Sequence, residues 1–548
     1  MKRVVFFLLI TINSAFALDT PFKHGVNITG WFQSPSVGQV QFTKYTKQDL
    51  IDIKSLGCDV VRLPINLHAM TSGSPDYIIE PLLYTFLDQV FDWAEELELN
   101  LILENDSLDP QTDTPITIGN ILIPVWAQMA NHYKNRSTYL YYEILNAPLG
   151  ISNQNWNIIQ NNVIDAIRAI DTTHTILVGP ANGNSHSNLE DMLPFTDDNL
   201  IITFHFYDPF IFTHQGVDST DPSLESLSDI PFPYSCNNMP ELPEDLQGTW
   251  IESAYGVYDS DGNPLEIFSL INNIAYFKEQ SHYPVFCGEF GVYRENVKNS
   301  YRDMWHLWVR MFFDIYKISW AASEYKGCFG IFEKDTYELY NYDLNETLLG
   351  FLGFKIPYQS EFYLWTDTTA FNIYDDYIGQ NIIESSTLGA GQVNYYSDNS
   401  PASDDYCIHF TGVDQYGKIT LRFIPIKDLS WLAANNYAID FYVRSDDPVT
   451  KFDLRFVDTK TDYPNDHPWR IRYKIDNTIT TWDGNWHHVQ IPLNSFMEHG
   501  SFDDGQWYDP IGAFNWHEID RFEIVSEYGD LIGTDLYFDN ISIVSPIP

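Results

Sequence analysis

Between residues 22 and 353 the chain repeats one pattern, a short apolar run followed by a stretch in which apolar side chains recur every three or four positions. The short runs are 24–27, 59–63, 99–103, 140–146, 175–179, 200–207, 284–288 and 318–322, each of a length that suits a buried strand. The stretches between them read as helices. In 46–56, Thr46 stands at a capping position, Leu50, Ile53 and Leu56 share one face, and Gly57 ends the run; 82–97 and 156–170 repeat the pattern. Eight such strands alternating with helical or loop material predict an α/β fold, a closed (β/α)8 or TIM barrel over 18–355, whose chemistry gathers at the carboxyl ends of its strands. The stretch 208–264 breaks the rhythm with Pro231-Phe232-Pro233, Pro240 and Pro243, and is expected to form a loop roofing the cleft.

From about residue 360 the period changes from helical to alternating. Lys418-Ile419-Thr420-Leu421-Arg422-Phe423 and Ala438-Ile439-Asp440-Phe441-Tyr442-Val443 alternate polar and apolar residues, and Asp446-Asp447-Pro448 and Asp483-Gly484 mark turns. Many short strands without helices predict an all-β sandwich of jelly-roll type over 360–548.

Composition narrows the partners. The chain has 548 residues, enough for two cores, with 44% hydrophobic residues. Against 75 Asp and Glu stand 30 Lys and Arg, a formal charge of -45 that argues against nucleic acid or an anionic membrane as partner. Lys2-Arg3, the apolar stretch from Val4 to Ile12 and Ala15-Phe16-Ala17 read as a secretory signal peptide over 1–17, so a secreted, extracellular protein is expected. The cysteines, Cys58, Cys236, Cys287, Cys328 and Cys407, are too scattered for a disulfide scaffold. Asn27, Asn135, Asn345 and Asn540 each open a glycosylation sequon.

Candidate chemistry sits where the apolar runs end. The seventh run closes on Gly288-Glu289-Phe290-Gly291, and the fourth leads into Asn146-Ala147-Pro148. Gly25-Val26-Asn27 followed by Trp31, Val61-Arg62-Leu63-Pro64 and His205-Phe206-Tyr207 occupy the first, second and sixth. Barrel strand ends converge on one centre, so these side chains are expected to meet there. Taken in this order, the motifs of residues 22–353 resemble those of glycoside hydrolase family 5. The segments 486–493 and 535–541 resemble, more weakly, a jelly-roll carbohydrate-binding module.

The resemblance implies a retaining hydrolase of β-1,4-glucans or mannans, in which one carboxylate attacks the anomeric carbon and a second, about 5 to 5.5 Å away, protonates the leaving oxygen. Glu289 would be the nucleophile, Arg62 its brace, Asn146 the contact to the sugar 2-hydroxyl, His205 and Tyr207 the sixth-strand pair, and Trp31 part of the substrate site. The departures lie at the chemistry. Ala147 stands where the family has its acid/base Glu, Asp106 where it usually has a His, and Ser323 where it usually has a sugar-stacking Trp. Glu143 does not replace the acid, because four strand residues would place it about 13 Å deeper in the barrel than Ala147.

The expectation is therefore a secreted polysaccharide-directed protein of family 5 type, catalytically impaired by loss of its acid/base. Two alternatives are a silent carbohydrate-binding pseudoenzyme and an active β-glucanase using a substitute acid, Asp106 or Glu104. No cofactor or metal is expected, and the chain is expected to act as a monomer on polysaccharide. In the second part a core position is the favoured reading for each of Trp431, Trp469, Trp482, Trp486, Trp507 and Trp516, for Trp486 most of all, and Trp469, Trp507 and Trp516, nearest to turns, are the better candidates for stacking on sugars. Asp539 is a candidate for a structural calcium site.

Overall fold

The computed structural model describes residues 19–107, 113–192, 194–461 and 466–546; the expected signal peptide lies outside them. Two compact units divide the chain, one of residues 19–30 and 50–358, the other of 31–49 and 359–546.

In the first unit eight parallel strands close into a barrel in sequential order. They are β1 His24–Asn27, β2 Val60–Ile65, β3 Asn100–Asn105, β4 Leu140–Glu143, β5 Thr175–Val178, β6 Leu200–Phe206, β7 Val285–Phe290 and β8 Ser319–Ala322. The short apolar runs become these strands because both faces of a barrel strand are buried. One side chain from each of β2 to β8, namely Val60, Ile102, Tyr141, Leu177, Ile201, Phe286 and Ala321, forms an apolar layer inside, and Phe22 joins it. Phe22 meets Tyr141 and Phe286 edge-on at 5.3 and 5.2 Å. On β1 a side chain at Gly25 would press against the Val60 carbonyl, so only glycine lets β1 and β2 approach there.

Helices Pro81–Glu96 and Asn153–Arg168 follow the predicted periodicity. The second is capped by the Ser152 hydroxyl, which accepts from the Asn155 N–H. The stretch after β6 differs from the expected loop. It holds short helices at Phe210–Thr213, Trp250–Gly256 and Tyr258–Asp261, the second capped by Thr249. Its prolines flank these turns of helix without entering them. No helix of the described residues is long and apolar enough to cross a membrane.

The second unit consists of two antiparallel sheets. Phe452 of one meets Phe538 of the other at 5.3 Å, and Phe423 meets Phe371 at 6.0 Å, so the apolar faces of the sheets pack together as a sandwich. Residues 31–49 group with this unit. Tyr396 donates to the Val40 carbonyl at 2.7 Å, Thr43 donates to that of Ile378 at 2.7 Å, and Gln41 bonds Ile382 and Glu384.

Several expected surface roles change with burial. Asn27 is fully buried, with its side-chain amide donating to Gly288 and Ala322, and Asn345, whose Oδ1 caps a helix by accepting the Leu348 N–H, is buried as well. Asn135 is exposed. Trp469 and Trp482 are core residues, whereas Trp431 and Trp507 are exposed. Asp539 accepts backbone N–H groups from Ala402, Ser403 and Asn540, which hold its carboxylate in place.

Candidate active site

Arg62, on β2, organises the carboxyl end of the barrel. Its side chain is fully buried, and its guanidinium uses all five N–H groups. Nε and Nη2 donate to the two oxygens of Glu143 at 2.7 and 2.9 Å. Nη1 donates to Asn27 Oδ1 at 2.9 Å and to Glu289 Oε1 at 2.8 Å, and Nη2 also donates to Asn146 Oδ1 at 3.0 Å. A guanidinium is suited to this task because its donors lie in one rigid plane and never lose their proton.

Glu289 is carried by β7 at a double irregularity. The β6–β7 register shifts between Phe204 and His205, and the β7–β8 register shifts between Cys287 and Phe290. Such bulges re-aim a side chain at a barrel rim. Gly288 supplies the room, since a Cβ there would lie 2.9 Å from Thr203 Oγ1 and 3.5 Å from Arg62 Nε. The second oxygen of Glu289 accepts the Tyr207 hydroxyl at 2.9 Å, and His205 Nδ1 lies 3.6 Å from it. Burial works to raise the Glu289 carboxyl, but His205, Arg62 and the Tyr207 hydrogen bond outweigh it and hold the group below its ordinary value. It is an ionised carboxylate at neutral pH, still 19% exposed toward the cleft. Burial lowers His205, and the Glu289 charge works against that.

The remaining expected residues divide. Asn146 bridges Arg62 and Asp106, donating to Asp106 Oδ1 at 3.2 Å. Ser323 shares a 2.6 Å hydrogen bond with the Tyr207 hydroxyl. Trp31 groups with the second unit. Its ring is 2% exposed, lies against Phe42 and Tyr45 of the second unit, and donates to the Phe42 carbonyl at 3.1 Å. Ala147 follows Asn146 with a φ of +43°, a left-handed conformation for a residue with a Cβ, and offers the cleft only a methyl group.

Glu143 lies closer to the centre than strand spacing suggests, because one guanidinium spans it and Glu289; both of its oxygens are nonetheless consumed by Arg62. Glu104 is fully buried, has no hydrogen-bond partner among the described residues, and is raised well above the usual carboxyl range by burial despite Arg62 3.7 Å away. Glu324, after β8, is also raised by burial, and accepts the Phe329 N–H at 2.9 Å. The motifs did not single out His214 and Phe329, whose rings lie 4.9 and 6.0 Å from Tyr207. Burial pushes His214 down to about 3, so it is uncharged. No sequence motif marks either residue, since both come from irregular segments.

The family described as Cellulase (glycosyl hydrolase family 5) matches residues 22–326, more than half of the chain. The chain belongs to glycosyl hydrolase family 5. Among family-5-like relatives, Endoglucanase 3 of Fibrobacter succinogenes is 27% identical over 332 residues, 56% of this chain and 50% of that protein. Endoglucanase C of Acetivibrio thermocellus is 26% identical over 350 residues, 59% of this chain and 94% of that protein. The chain thus spans half the length of the first relative and nearly all of the second. Solved structures of a Thermotoga maritima endoglucanase, one with mannotriose and one with cellobiose, are 25% identical with TM-scores of 0.51, covering 60% of this chain and 97% of theirs.

Proposed function

We propose that this family 5 protein is exported and directed at β-1,4-linked glucan or mannan, with Glu289 as nucleophile and with hydrolysis of ordinary glycosides impaired because no acid/base stands at position 147. The observation that carries the reading is the contrast between a charged, doubly hydrogen-bonded Glu289 and a methyl group at Ala147. The mannotriose and cellobiose held by the Thermotoga enzyme support the choice of sugars.

In the first step Glu289 attacks the anomeric carbon while the glycosidic oxygen leaves. Without a proton donor that oxygen departs as an alkoxide, and the missing assistance is worth about 10²- to 10⁴-fold in rate. In the second step water must attack without a base. A good aryl leaving group removes the first difficulty, and an anionic nucleophile such as azide removes the second. With a dinitrophenyl cellobioside we expect a burst of phenol equal to the enzyme, a glycosyl mass on the Glu289 peptide, and turnover that rises with azide. Ala147→Glu is expected to raise activity on cellulose-like polymer at least ten-fold. Brisk depolymerisation by the unaltered chain would sink the reading.

Asp106 merits its own variant, because its hydrogen bond to Asn146 places a carboxyl one residue from position 147. If Asp106 serves as the acid, Asp106→Asn abolishes residual polymer activity while leaving the dinitrophenyl burst intact. If Ala147→Glu gives no turnover and the chain still retains polysaccharide, the silent binding reading replaces both.

A further inference from the structure

One face of a sheet in the second unit concentrates cations that the chain as a whole lacks. Across adjacent strands Thr420, Glu523, Arg455 and Arg472 stand side by side, and two residues along stand Arg422, Arg521, Val457 and Arg470. The intervening Leu421, Phe522, Phe456 and Ile471 are buried in the sandwich core, so the charged rows share the opposite face. Most of these cations have carboxylate partners. Glu523 pairs with Lys418 and Arg521 at 2.9 Å each, Asp520 with Arg422 and Arg521, and Asp453 with Arg455 at 3.1 Å and Arg472 at 3.3 Å.

Arg470 is the exception. Among the described residues no carboxylate lies within ion-pair reach of it, and its Nε is buried without a hydrogen-bond partner, as is that of Arg455. Its guanidinium carbon lies 4.8 Å from the centre of the Trp507 ring, which is 45% exposed. Gly500 pairs with Arg470 and has a φ of +92°; a Cβ there would come within 3.0 Å of the indole, so glycine leaves room for the ring beside the arginine. Burial together with the neighbouring Arg455 and Arg521 pushes the Arg470 guanidinium down to about 10. Among the described residues Glu523 and Glu527 act on this cation only from beyond ion-pair distance.

We propose that the face around Arg470 and Trp507 binds a carboxylate-bearing sugar unit of an acidic polysaccharide. The guanidinium fork matches a carboxylate with two parallel hydrogen bonds. The half-exposed indole offers the flat apolar surface on which a pyranose packs. Beside them Asp453, His499 and Glu527 bring ligand atoms within 4.8 Å of one another, and Tyr528 donates to Asp453 at 2.7 Å. That trio has the donor set of a cation site, but Arg455 and Arg472 already place positive charge on Asp453, which disfavours a metal ion. Asp453 is fully buried and its oxygens are taken by Tyr528, Arg455 and Arg472, so the ligand contacts fall to Arg470 and Trp507. The site is independent of the barrel chemistry.

The test is calorimetric titration of the full chain with oligogalacturonate and oligoglucuronate, with the neutral oligogalactose and oligoglucose of the same length, and with inorganic phosphate. We expect one of the uronates to bind, at least ten-fold tighter than its neutral counterpart and than phosphate. Arg470→Gln is expected to weaken that binding at least ten-fold, and Trp507→Ala, an exposed position, to weaken it without altering the unfolding temperature. Absence of uronate binding, equal binding of the neutral sugar or of phosphate, or indifference to both substitutions would overturn the proposal.

Discussion

Ala147 holds a conformation that its own side chain opposes. With φ at +43° its Cβ crowds the following carbonyl, a cost of roughly 1–2 kcal/mol that glycine avoids. Ala147→Gly is therefore expected to raise stability by about 1 kcal/mol after glycine's greater unfolded freedom is counted, read as an increase in the urea midpoint; a decrease would show that the strain is absent. The turn at this position is held from outside, by the Asn146 N–H on the Asn105 carbonyl and by Arg62 on the Asn146 side chain. Glu289, Arg62 and Tyr207 could be picked out in the sequence because each stands in or just after an apolar run and within a recognisable motif. Glu143 was not, because strand spacing counts residues along one strand and says nothing of a guanidinium reaching across from another.

Among the elements, β1 begins and ends where the apolar run does, whereas β4 stops at Glu143, three residues early. Ile144 and Leu145 remain buried after the strand has ended, so hydrophobicity alone extends it. The short helices after β6 escaped prediction for the converse reason, since proline-rich flanks mask brief capped turns. The central strand Ile519–Val525 of the second unit carries its own pH response. Burial works to raise Glu523, but Lys418 and Arg521 overcome it and bring the carboxyl down to about 2. A carboxyl lowered on folding stabilises above its unfolded value, and that contribution fades as pH falls from about 4.5 toward 2. The full effect is of order 3 kcal/mol. Glu523→Gln should thus be less stable than the parent at pH 7 and converge with it near pH 2; a gap in urea midpoint that does not change with pH would refute this.

For the molecule as a whole, the alternation of periods located the change from α/β to all-β architecture near residue 360, but not the membership of residues 31–49. Their partners, Ile378, Ile382, Glu384 and Tyr396, lie more than 300 residues later, and no local pattern encodes so distant a contact. A fragment ending at 358 is expected to leave Trp31, Phe32 and Val40 without their own unit's core and to bind a hydrophobic dye and aggregate where the full chain does not. A clean, monomeric fragment would show that the segment finds cover elsewhere.

That early segment also sets an order of events during synthesis. As the polypeptide emerges from the ribosome, residues 31–49 appear before β2 to β8, yet the strands that receive them, which hold Ile378, Ile382 and Tyr396, come only after all eight barrel strands. While the barrel is being made, Trp31, Phe32 and Val40 wait between β1 and β2, so translation of the strand Asp535–Val544, rather than completion of the barrel, is the moment from which the second unit can assemble.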